Sequence, residues 1–180
     1  MINLKQKGLA NAIEANGQSF LLNTDFETWL NFPDIRKAIF SGNISAYRSL
    51  FADQPAPLTR ETIAALDAFY YTPKEVPRSD GGGEAVLDYD IDADYIYAAF
   101  MQAYGIDLKE KSMHWHKFSA LMNGLPDDVL IVKIMQWRGY DGSPKDVGYK
   151  EYMKLKQKWA LPLKMTDEEI KAKEEFEALF

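Results

Sequence analysis

Asp88, Asp90, Asp92 and Asp94 fall at alternate positions and offer a dense set of oxygen ligands. A calcium loop of the EF-hand kind needs glycine at its sixth position and a bidentate glutamate at its twelfth. Counting from Asp88 places Ala93 and Ala99 there; counting from Asp90 places Tyr95 and Met101. Both registers fail, so the aspartates read as caps and as charge offsetting the positive end of a following helix. The two histidines, His114 and His116, flank Trp115. Two residues apart on a helix they point to different faces, whereas helical zinc motifs use four-residue spacing. A structural role is favoured for both, with a general base at His114 or His116 as the remote enzymatic alternative. No GxSxG elbow accompanies them. Gly81-Gly82-Gly83 has no following Lys-Ser/Thr and reads as a linker rather than a phosphate cradle. No metal, cofactor or catalytic residue is expected.

The elements that would position these residues are mostly helical. Asn16-Gly17, between LANAIEA and QSFLLN, is the preferred dipeptide of a two-residue hairpin turn. It predicts residues 9–15 pairing with 18–23, although Ala and Glu leave a helical first segment open. Thr24 or Asp25 caps a helix carrying Phe26, Trp29 and Leu30, which Pro33 interrupts before a continuation through Ile35 and Ile39. A short helix over 43–51 would bury Ile44, Tyr47, Leu50 and Phe51. Thr59 caps the next, with Ile63, Leu66, Phe69 and Tyr70 as its stripe.

Prolines, three glycines and scattered charge make 72–88 a flexible loop. It separates a hairpin-plus-helices part (1–71) from a helical core (89–162). One domain over 1–180 is preferred, because a lone hairpin exposes its apolar face. Within Asp90–Arg138 three helices follow, the first closed by Gly105 and the second by Gly124, each in the left-handed conformation. Pro126 opens the third, with Asp127 and Asp128 in its first turn. A basic helix over 145–159 ends at Pro162. Thr166 starts a capping box for a peripheral helix over 167–179, within the C-terminal segment 163–180. The fold class is mainly α with some β: a helical bundle with a short N-terminal β-hairpin.

Of the 180 residues 47% are hydrophobic and 13% aromatic, enough for a packed core. The formal net charge of −6 argues against a nucleic-acid partner. The lysines at 145, 150, 154, 156 and 158 are better read as a solvated face. The absence of cysteine excludes disulfides and fits a reducing compartment. No apolar run is long enough for a signal or a membrane span, so a cytoplasmic protein is expected.

The central helices carry more rings and methionines than one thin helical layer needs. Trp115 and Phe118, like Tyr95 and Tyr97, are too close in sequence for all to face one core. Tyr97, Met101, Tyr104, Trp115, Phe118, Trp137 and Tyr152 are therefore the candidate partner interface.

YIYAAFMQAYGIDL (95–108), MHWHKFSALMNGLPDD (113–128) and KIMQWR (133–138) together resemble the "gene product fifteen" family of phage and prophage tail-region proteins from Gram-positive hosts. NTDFETW (23–29) after a hairpin and YKEYMKLKQKWALP (149–162) extend the resemblance over nearly the whole chain. His116 departs from it where a second Trp is usual, and Glu27 where a basic residue is common. The resemblance implies a gene between those of the major tail protein and the tape-measure protein. It further implies a tail assembly chaperone working in the cytoplasm of the bacterial host. Its partner would be the tape-measure or tail-tube protein, with self-association open. The alternative is a structural tail or connector component of the virion.

Overall fold

Asn16 and Gly17 both adopt positive φ, 51° and 71°, as a type I′ turn requires. β1 (Ala12–Ala15) and β2 (Gln18–Leu21) consequently pair antiparallel, with Ile13 opposite Phe20 and Ala15 opposite Gln18. The first segment is a strand, and shorter than expected. Its turn docks on the start of α3 (Arg60–Tyr71), where the Asn16 N–H donates to Glu61 and its amide reaches Thr59 and Thr62. A computed structural model describes residues 2–71 and 85–162. Most of the expected loop (72–84) and the C-terminal helix (167–179) lie outside the described residues.

α1 (Phe26–Leu30) starts at Asp25, whose carboxylate accepts the Glu27 N–H. Pro33 sits in the first turn of α2 (Phe32–Phe40), where its missing N–H costs nothing. Asn31 ends one helix and begins the other. The helix expected over 43–51 is only a 3-10 turn at Tyr47–Leu50, and Ile44 is exposed rather than buried. Phe51 leaves this turn extended and bridges to Leu22, which continues the hairpin. Thr59 caps α3, its hydroxyl accepting the Thr62 N–H.

α4 (Ala93–Tyr104) closes at Gly105 with φ 61°, the left-handed cap its sequence asked for. α5 (Trp115–Asn123) ends differently: Gly124 has φ −102° and ψ 10°, and its N–H bonds to Leu121 without any left-handed residue. α6 (Leu130–Arg138) begins four residues after Pro126. Pro126-Asp127-Asp128 form a turn, and Val129 takes the cap position in extended conformation. α7 (Tyr149–Trp159) starts after Gly148, at φ 81°, and is likewise shorter than its lysine run.

The architecture is mainly helical with an N-terminal two-stranded hairpin. Buried side chains from before and after the undescribed segment form one hydrophobic cluster. Trp29 and Phe32 on α1 and α2, Leu66 and Phe69 on α3, Phe100 on α4, Phe118 on α5 and Ile131 on α6 meet there. An isolated bridge joins Asp25 to His114. Phe26 N–H donates to Met113 O at 2.8 Å and Trp115 N–H to Thr24 O at 2.7 Å, so α1 and α5 begin side by side.

Candidate functional site

The aspartate run resolves into a turn and a buried ion. Asp88 accepts the N–H groups of Asp90 and Ile91 at 3.1 and 3.2 Å. Asp92 occupies the cap position of α4 but makes no side-chain cap bond, and it is fully buried. Its two oxygens face the Arg138 guanidinium at 2.6 and 2.9 Å, a bidentate ion pair at the end of α6. Arg138 Nε donates to Trp159 O at 2.6 Å and Nη1 to Val86 O at 3.0 Å. One guanidinium thus ties the approach to α4 to the last turn of α7. Residues 85–88, assigned to the flexible loop by composition, are held here: Val86 and Leu87 are half-buried.

The histidines meet rather than diverge, their ring centroids 5.1 Å apart. His114 precedes α5 instead of lying within it, so the helical-wheel expectation does not apply. Its Nδ1 accepts the His116 N–H and its Nε2 faces Ala10 O at 2.9 Å. His116 Nε2 faces Phe69 O at 2.8 Å in the buried interior. A nitrogen facing a carbonyl must donate, which fixes the neutral tautomers. Burial lowers the pKa of both rings, that of His116 to about 4. The pair works as two clips between chain segments. Among the described residues no group of three His, Cys, Asp or Glu could hold a metal ion.

Between α1 and α4 lies an open cleft of about 430 Å³. Phe26, Leu30, Tyr89, Ile96, Leu108 and Phe118 give it apolar walls and floor; Glu27, Asn31, Asp90 and Lys109 stand among its polar groups. Phe118 stacks between Phe26 and Phe100, at 4.7 and 5.2 Å, so the floor is part of the packed ring core. Tyr97 on the wall is fixed by its hydroxyl, which donates to Asp107 at 3.0 Å. The N–H of Lys109 and this hydroxyl hold the Asp107 carboxyl below its ordinary pKa.

The seven candidate interface residues separate in this fold. Trp115 and Phe118 are core residues, 3% and 1% exposed. Three residues apart on one helix, they share a face, contrary to the expectation that they diverge. Trp115 also spends its indole N–H on Tyr70 O. Tyr104 is half-buried, its hydroxyl donating to Leu121 O. Trp137 stacks on Trp159, and Tyr152 on Tyr140, along the α6–α7 seam. Tyr97 and Met101 lie one turn apart on α4, in the cleft and just beyond it; Met101 is 43% exposed. Sequence reasoning missed the rest of the cleft, because nothing in one sequence brings Glu27 to Lys109, which face each other at 3.4 Å.

Fold and site together define a small helical domain with an N-terminal hairpin, an apolar cleft and histidines used as structural clips. Residues 6–161 match the family model described as Bacteriophage Gp15 protein. The chain belongs to that phage protein family. No curated protein and no solved structure matches it. Among the described residues no helix is long and apolar enough to cross a membrane.

Proposed function

We propose that this protein serves phage tail morphogenesis as a non-catalytic assembly chaperone for the tape-measure protein, acting in the host cytoplasm. Membership of the phage family over residues 6–161 is the observation that carries the reading. The cleft supports it: its apolar floor suits a protein segment, and two of its charged groups, Glu27 and Lys109, are already engaged with each other. Both imidazoles are engaged with main-chain carbonyls, which disfavours the enzymatic alternative. A tape measure built of long amphipathic helices would offer repeated weak contacts, and these add up to avidity without tight single sites. Co-expression tests the reading. The tape-measure protein should move into the soluble fraction and co-purify with this chain. An unchanged insoluble fraction with no complex overturns it, as does stoichiometric recovery of this chain from purified virions, which marks a structural tail component instead.

A further inference from the structure

The geometry points to the α1–α4 cleft as the seat of a basic amphipathic helix, which inserts an apolar anchor and places a Lys or Arg against Asp90. This rests on the partner-binding reading above and names the site and the chemistry of the bound segment. Three observations carry it.

The first is shape. The floor is set by stacked rings and by Ile96 and Leu108, all part of the packed core, so an entering side chain meets a preformed surface. The cleft volume falls within the range of roughly 300–1,000 Å³ common for preformed binding pockets. Ala93, Tyr97 and Met101 follow one another at four-residue spacing along α4. Ala93 and Tyr97 line the cleft and Met101 is exposed beyond it, which continues apolar surface along the direction a helix would lie.

The second is charge. Of the charged groups lining the cleft, Glu27 and Lys109 already face each other. Tyr97 is engaged with Asp107. The Asp90 carboxylate is exposed and has no bonded partner among the described residues. It is left to receive a cation.

The third is the wider charge distribution. Residues 145–158 hold five lysines beside Asp146 and Glu151, while the chain as a whole has 27 acidic against 21 basic residues. The acidic excess therefore lies outside that helix, and at the cleft itself Glu27 and Asp90 stand against the single cation Lys109, a balance that favours a basic partner.

The probe is a fluorescein-labelled synthetic peptide of about five helical turns. Leucines recur on one face, lysines flank them, and a second version has every lysine replaced by glutamate. Anisotropy with the full chain should give binding on the order of micromolar for the lysine version. Ala93→Arg fills the cleft from an exposed position, and should weaken binding by about tenfold or more with an unchanged melting curve. Asp90→Asn, on the surface, should weaken it by roughly threefold and flatten its salt dependence. Equal affinity of the two peptides, or wild-type binding by both variants, overturns the proposal. Self-association of the unliganded chain that Ala93→Arg abolishes would make a second copy the occupant. A gain of about tenfold on deleting residues 163–180 would make that segment the occupant; either result also overturns it. Peptide binding in the cleft beside failure of the tape-measure co-expression would separate this inference from the chaperone reading.

Discussion

Arg138 holds a permanent charge at 6% exposure and meets a carboxylate and two main-chain carbonyls. Removing one partner of a buried pair strands the other, at a cost of about 3–5 kcal/mol. Arg138→Met should therefore lower the unfolding free energy by that order in urea titrations. Adding Asp92→Leu should recover a large part of it, since an apolar pair of similar bulk avoids the buried charge. If Arg138→Met is no worse than about 1 kcal/mol, the pair is more solvated than its geometry indicates. None of this was legible in the chain. An aspartate before a helix reads as a cap, and at Asp25 that reading holds. The same residue type at Asp92 turns inward because Arg138, 46 residues on, is folded against it.

Among the elements, those with local chemical signals were legible. Asn16-Gly17 placed the hairpin, Pro33 the break between α1 and α2, Thr59 the start of α3 and Gly105 the end of α4. Where a boundary depends on packing, the local signal misled. Pro126 opens a turn because α6 begins only where Ile131 and Ile134 reach the core. Among the described helices α7 alone has no buried residue, and aromatic stacking, Lys156 to Tyr140 O and the Arg138 bond to Trp159 O hold it on α6. Its amides should exchange with solvent by local opening, about tenfold or more faster than those of α4. Native-state hydrogen exchange read by mass spectrometry checks this, and equal protection of the two helices would show that the seam is stronger than its burial suggests.

For the molecule as a whole, acid sensitivity follows from the histidines. Both rings are neutral when folded, because burial lowers their pKa, and both regain the ordinary value of about 6.5 on unfolding. The unfolded chain then binds more protons below that value, so stability is full above about pH 6.5 and falls as pH drops toward 4. For His116 the loss by pH 4 is on the order of 2–3 kcal/mol. Urea midpoints measured from pH 7 to pH 4.5 should decline, and His116→Gln, which keeps an N–H for Phe69 O, should flatten the decline. A flat wild-type profile would contradict neutral, buried imidazoles.

Asp25 and His114 are partners in one bridge, and each also caps the helix that follows it. Neither helix start is complete until the chain has closed a loop of about 90 residues. During synthesis the N-terminal part therefore has to wait for His114 to leave the ribosome before α1 acquires its final neighbours. Until then Phe26 lacks Phe118, the ring it stacks on, whereas Trp29 can already pack on Phe32, Phe69 and Tyr70, so the two ends of one short helix gain their neighbours at different times.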